Sequence, residues 1–215
     1  DGGEKVTVPE GIAEEWQEET CPSHQWMLAM AKELDAAIVG SIAVREQDGR
    51  YYNRLCFVRP DSETTIYDKH HLFTFGGEHL RYTAGDARVV AEFRGFRFLL
   101  QICYDLRFPV FARNKADDAY DAAIYVASWP TPRVGAWSAL LVARAIENQC
   151  YVAGVNRVGT DPTCEYCGGS VVIDPYGKTI AACEMGEECE ASAEVDMAML
   201  EAFREKFPAL NDADI

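Results

Sequence analysis

The stretch Phe96-Arg97-Phe98-Leu99-Leu100-Gln101-Ile102-Cys103-Tyr104-Asp105-Leu106-Arg107-Phe108-Pro109 passes from an apolar run into a polar turn at Cys103. With residues 88–93 and the turn Arg94-Gly95 before it, the run predicts a β-hairpin whose second strand ends at Cys103. A strand end holds a side chain in place while the next backbone N–H groups point outward. That suits a nucleophile: a thiolate there can attack a carbonyl, and neighbouring amides can receive the oxyanion. An inert buried cysteine is the competing reading, which context has to displace.

Outward from this hairpin the pattern is mixed. Downstream, a short helix near 108–114, a buried strand at 122–127 and a helix from about 133 to 149 are expected, then strands at 151–155, 170–173 and 190–195 and a closing helix at 197–206. Upstream, a helix over 24–34 carries Trp26, Met27, Met30 and Leu34 on its apolar face, with Ser23 as its cap. Strands at 36–44, 51–58 and 64–67 then resemble an antiparallel meander. Helices flanking strand-rich stretches predict an α/β or α+β class, with residues 1–215 as a single domain.

Composition narrows the function. With 48% hydrophobic and 26% charged residues the chain is globular rather than disordered. A net charge of -15 repels phosphate backbones and anionic lipid, which argues against nucleic acid and membrane as partners. The opening Asp1-Gly2-Gly3-Glu4 has no leader character, and the chain is expected to begin in mid-protein. Glu14, Glu15, Glu18 and Glu19 read as a solvated approach to the first helix. Eight scattered cysteines do not form a disulfide scaffold, which points to a reducing cytoplasm.

Lys69 adds a cation at another strand end, where an ammonium could lower a thiol pKa and bind an oxyanion. Three blocks then read together: Tyr67-Asp68-Lys69-His70-His71-Leu72-Phe73, Gly77-Glu78-His79 with Tyr82-Thr83-Ala84-Gly85, and Cys103-Tyr104-Asp105-Leu106-Arg107-Phe108-Pro109. They resemble the motifs of the nitrilase-type carbon–nitrogen hydrolases. Ala127-Ser128-Trp129-Pro130, Arg144-Ala145-Ile146-Glu147-Asn148-Gln149 and Gly154-Val155-Asn156-Arg157-Val158-Gly159 follow in that family's order. The resemblance implies a four-layer α-β-β-α sandwich that pairs into a homodimer through sheet-covering helices. It also implies Cys103 as nucleophile, Lys69 and the Tyr104 backbone N–H as oxyanion donors, and Glu78 as the carboxylate that positions Lys69 and assists proton transfer. Within the family the text is most similar to the omega-amidases, which hydrolyse the terminal amide of a small 2-oxo acid and need no metal or organic cofactor. Another nitrilase-type activity, or an impaired relative that serves as a binding module, is the alternative.

The family's first glutamate follows an apolar strand in a Pro-Glu context. Val8-Pro9-Glu10 lacks that strand, so the residue is expected upstream of residue 1, with one edge of the fold incomplete. Trp129, Arg107 and Arg133 are the substrate-binding candidates, the arginines as buried cations for an anionic substrate. Cys164-x-x-Cys167 has zinc or redox spacing, and a structural zinc would need two more ligands, with Cys183 and Cys189 the only nearby thiols; the resemblance places this segment in a variable loop before a strand, which implies free thiols. His70, His71 and His79 are expected to support the active-site loop, His24 to lie on the surface, and Glu147 to be a buried structural partner for an arginine or backbone groups, with catalysis the alternative.

Overall fold

The computed structural model describes residues 8–17 and 19–213; Glu18 and the Asp1-Gly2-Gly3-Glu4 opening lie outside them. The chain divides into two compact units between Phe93 and Arg94. In the first, β1 (Glu14–Glu15), α1 (Pro22–Leu34), β2 (Ile38–Arg45), β3 (Tyr51–Val58) and β4 (Thr64–Asp68) follow in order, and β5 (Val90–Phe93) ends the unit. Strands β2, β3 and β4 form the expected antiparallel meander, and β1 adds to β2 in parallel.

Helix α1 rests on this sheet through Met27 and Ala31, which cluster with Cys56 and Val58, two residues apart on one face of β3. The buried stripe of α1 is His24, Met27 and Ala31. Trp26 and Leu34, expected on the apolar face, are each 61% exposed. Trp26 stands about 100° around the axis from Met27, and Leu34 closes the helix just before left-handed Asp35. His24, expected on the surface, is buried: its Nε2 lies 2.9 Å from Thr64 Oγ1 and its ring packs 5.3 Å from Trp16.

The cap also differs from the expectation. Cys21 is the N-cap residue and Pro22 opens the helix, whereas the hydrogen bonds at this end go to the Glu14 carboxylate. It accepts from the Ser23 N–H at 2.9 Å, from the Ser23 hydroxyl and from the Cys21 thiol at 3.0 Å. Burial pushes the Glu14 carboxyl pKa up, but these bonds outweigh it and hold the pKa below the usual value. Glu14 is therefore an anion on a helix N-terminus rather than a solvated charge.

The second unit holds β6 (Phe96–Ile102), α2 (Pro109–Ala112), β7 (Ala122–Ala127), α3 (Val134–Asn148), β8 (Tyr151–Asn156), β9 (Val158–Thr160), β10 (Glu165–Cys167), β11 (Val171–Ile173), β12 (Thr179–Ala182) and α4 (Met197–Lys206). The two-residue turn Arg94-Gly95, with φ of 49° and 84°, leads from β5 into β6 as a tight hairpin requires. Strands β6, β7 and β8 are parallel, and β11 and β12 continue from β8 antiparallel. Gly154 lets α3 lie close to β8: a Cβ there would stand 2.5 Å from Leu141 Cδ1 and 2.9 Å from the Trp137 ring. Helix α4 buries Leu200 against Ala122 and Tyr151.

Two expectations fail here. Residues 190–195 form no strand, because residues 191–195 are all exposed and offer no face to a sheet. The β9–β10 hairpin and β12 were not expected; Thr160 pairs with Glu165 and Val158 with Cys167, so three of the four residues of Cys164-x-x-Cys167 lie in β10.

Candidate active site

Parallel strands end at a common edge, and the register shows which residues share it. Ile102 pairs with Val126, and Ala127 with Asn156, so Cys103, Ser128-Trp129 and Asn156 leave the sheet side by side. In parallel α/β sheets this carboxyl edge is where ligands bind. Cys103 opens a five-residue 3₁₀ turn, Cys103–Arg107, with φ of 45°. It is the one cysteine at positive φ among the described residues. A side chain in the left-handed region costs on the order of 1–2 kcal/mol, so the turn needs anchors.

Two anchors are visible. Fully buried Asp105 folds back to accept the Ile102 N–H at 2.9 Å. Buried Arg144 on α3 donates to the Leu106 carbonyl at 2.6 Å and to Glu147 at 2.7 Å, so Glu147 is an arginine partner, though half-buried rather than buried as expected. The Cys103 Sγ, half-buried, lies 4.0 Å from the Ser128 carbonyl oxygen.

Arg107, Trp129 and Arg133 come together in this unit. The Arg107 guanidinium sits over the Trp129 ring at 5.1 Å, and Trp129 Nε1 donates to the Arg133 carbonyl at 2.8 Å. Trp129 itself is buried, 5.6 Å from Trp137. The expectation of buried cations needs correction: Arg107 is exposed and Arg133 half-buried, because both leave short turns at the sheet edge rather than its interior. Asn156 is a residue the sequence reading did not weigh singly. Its Oδ1 accepts from the Trp129 N–H at 2.7 Å, while its Nδ2 donates to the Trp129 and Gly168 carbonyls.

The first unit builds a charge pair. Lys69 follows β4 directly, and its Nζ lies 2.6 Å from Glu78 Oε2, with both side chains 4% exposed. The same carboxylate oxygen accepts the Phe73 N–H. The Lys69 backbone is held by Asn53 O at 2.9 Å and by the Gly85 N–H at 2.9 Å. Gly85 passes so close that a Cβ would stand 2.2 Å from the Asp68 carbonyl oxygen, which requires glycine. Buried Arg54, unmarked in the sequence reading, grips Asp68 with two bonds of 2.8 Å and Glu46 at 2.7 Å. His70 braces the loop through Gly85 O at 2.7 Å and packs edge-on against His71, whereas His79 is exposed.

Glu10 lies in the 3₁₀ turn Pro9–Gly11, its exposed carboxylate 3.4 Å from Arg81. It still reaches Tyr82 electrostatically: burial, then the charges of Glu78 and Glu10, push that phenol up to about 12. Among the described residues no group of three or more His, Cys, Asp or Glu side chains is placed to hold a metal ion. The eight cysteines are all free thiols.

The Carbon-nitrogen hydrolase family model matches residues 6–205, across both units. An Omega-amidase YafV of Escherichia coli K12 is 52% identical over 190 residues, covering 88% of this chain and 73% of the relative. A 2-oxoglutaramate amidase of Bacillus subtilis is 37% identical over 192 residues with the same coverage. Among solved structures, a CN-hydrolase superfamily protein of Xanthomonas campestris, bearing an arsenic adduct in its active site, matches with a TM-score of 0.90 at 42% identity, over 97% of this chain and 80% of its own. Saccharomyces cerevisiae Nit3, of the nitrilase superfamily, matches with a TM-score of 0.84 at 28% identity, over 93% of this chain and 74% of its own. The mixed α/β fold is thus that of the nitrilase superfamily, and this chain, an enzyme by descent, belongs to the carbon-nitrogen hydrolase family.

Proposed function

We propose that the protein is an omega-amidase, releasing ammonia from the terminal amide of a small 2-oxo acid through a thioester on Cys103. The observation that carries the cysteine assignment is the positive φ of Cys103, anchored through Asp105 and Arg144 at the carboxyl edge of β6. In this reading the Cys103 thiolate attacks the amide carbonyl, and the Lys69 ammonium and the Tyr104 backbone N–H stabilise the oxyanion. Ammonia leaves, and water hydrolyses the thioester through a second tetrahedral state. Glu78 orients Lys69, which their 2.6 Å buried contact supports, and assists proton transfer to the leaving amine. No metal or organic cofactor enters these steps.

The 2-oxo acid substrate rests on the similarity to an omega-amidase and a 2-oxoglutaramate amidase. Trp129 is read as a wall of the substrate site, with Arg107 and Arg133 as cations for the substrate carboxylate. Glu10, exposed and paired with Arg81, is arranged as a surface ion pair rather than as a sheltered base. A cytoplasmic homodimer completes the reading: eight free thiols suit a reducing compartment, and Ile146 leaves 52% of its surface exposed on sheet-covering α3.

The test compares ammonia release from 2-oxoglutaramate with release from a neutral aliphatic amide of similar length, followed by mass spectrometry of acid-quenched enzyme. Preference for the 2-oxo acid and an acyl group on Cys103 are expected. Equal rates on both amides would refute the substrate class, and an acyl group elsewhere would refute the nucleophile.

A further inference from the structure

The Cys-x-x-Cys spacing draws the eye to Cys164 and Cys167, yet the chain brings a different pair of thiols together. Cys183 follows β12 directly, and Glu184-Met185-Gly186-Glu187 then reverses the chain: the Glu187 N–H meets Glu184 O at 3.3 Å, and Gly186 has φ of 84°. The reversal returns Cys189 to Cys183, whose Sγ lies 3.3 Å from the Cys189 carbonyl oxygen. The turn is held in place. The Cys183 N–H donates to Ser170 O at 2.9 Å, and the Gly186 N–H to Cys167 O at 2.8 Å. Cys167, by contrast, is tied into the hairpin opposite Val158, and the Cys164 N–H is bound to Asp161.

Cys189 is exposed and Cys183 half-buried, while Glu184, Glu187, Glu188 and Glu190 lie within two residues of them along the chain, all exposed. We propose that Cys183 and Cys189 close a reversible intramolecular disulfide, a thiol-exchange site separate from Cys103 that takes cationic low-molecular-weight disulfides in preference to anionic ones. The proposal does not depend on the amidase reading.

The steps balance by thiol–disulfide exchange. The Cys189 thiolate attacks one sulfur of the small disulfide, forming a mixed disulfide and releasing one small thiolate. The Cys183 thiolate then attacks the Cys189 sulfur and releases the second. The protein loses two protons and two electrons, and one small disulfide becomes two thiols. Cys189 opens the exchange because it is exposed, so the small disulfide reaches it before half-buried Cys183. Four carboxylates close to the pair along the chain repel an anionic disulfide and attract a cationic one.

The experiment incubates the full chain, unaltered and as Cys103→Ala, with cystamine or with oxidised glutathione, blocks remaining thiols and maps the cysteine peptides. Expected is a Cys183–Cys189 peptide lacking two hydrogens, formed several-fold faster with cystamine and reversed by dithiothreitol. In Cys183→Ser the cysteamine adduct should instead accumulate on Cys189. A Cys164–Cys167 bond formed first, or a stable adduct on Cys189 with Cys183 still open to alkylation, would overturn the disulfide. Equal rates with oxidised glutathione would overturn the charge preference.

Discussion

The ends of β4 and β6 both present a chemistry-bearing side chain, but they hold it by different means. At β4 the restraint lies in side chains: Lys69 meets Glu78 in a buried pair, and neighbouring Asp68 is gripped by Arg54. At β6 it lies in the backbone: Cys103 has φ of 45°, and the bonds that hold its turn go to main-chain groups of Ile102 and Leu106. A cation can be positioned by a counter-charge. A thiol makes only weak hydrogen bonds, so its position has to come from the chain path itself. The two ends should therefore respond oppositely to substitution.

At the β6 end, Cys103→Ala should abolish turnover, by roughly a thousandfold or more, while leaving the fold intact. Cys103→Gly should be equally inactive yet more stable than Cys103→Ala by about 1 kcal/mol, because glycine relieves the left-handed strain. Denaturant melts of the two variants decide it, and equal midpoints would remove backbone strain from the comparison.

At the β4 end, Lys69→Met should slow turnover on the order of a hundred- to a thousandfold and also destabilise the protein by about 3 kcal/mol, since Glu78 is left buried and unpaired. Adding Glu78→Gln should recover stability without recovering activity. If the single variant melts like the unaltered protein, the pair is not the restraint described above.

Asp121, which precedes β7, receives Arg97 and Arg204 at 2.9 Å each. Burial pushes its carboxyl pKa up, but the two guanidinium partners outweigh it and bring the value below the usual 3.8. A depressed folded pKa makes the stability contribution complete above about pH 4 and lost as pH falls through the folded value. Asp121→Ala should cost on the order of 3 kcal/mol at neutral pH, and the loss should shrink in acid. An unchanged difference at pH 2 would contradict the linkage.

Gly85→Ala tests the backbone contact behind Lys69. A Cβ 2.2 Å from the Asp68 carbonyl must push that strand end aside; about 1–3 kcal/mol of stability and a lower kcat should be lost, the latter measured by ammonia release. The smallest effect is expected for Glu10→Gln, whose exposed pairing with Arg81 is worth less than about 1 kcal/mol. A drop in kcat of roughly a hundredfold would instead make Glu10 a general base.

The strand ends that carry Lys69 and Cys103 were legible because each is local, a short strand followed by a polar turn, whereas Glu78 opens a 3₁₀ turn in the loop after Lys69. The helices at 24–34, 133–149 and 197–206 and the meander were legible through periodicity. His24, Glu14 and the exposed arginines were misread because their environments come from residues far along the chain or from the other face of an element. His24 is buried by Thr64 and Trp16, and Arg107 is drawn over Trp129. The β9–β10 hairpin was missed because its strands are only three residues each, too short for alternation to register.

The amino-acid sequence by itself determined the α/β class, the order of the main elements, and which lysine and which cysteine stand at strand ends, since propensity, periodicity and turn chemistry act over a few neighbouring residues. Tertiary structure decided the rest. It chose the stripe of α1 that is buried and gave Glu14 the helix N-terminus. It also aligned Cys103, Trp129 and Asn156 along one sheet edge and turned Cys189 back to Cys183. Each of these depends on strand register, chain reversal or a partner distant in sequence, and burial energy settles such choices only when the sheet is assembled.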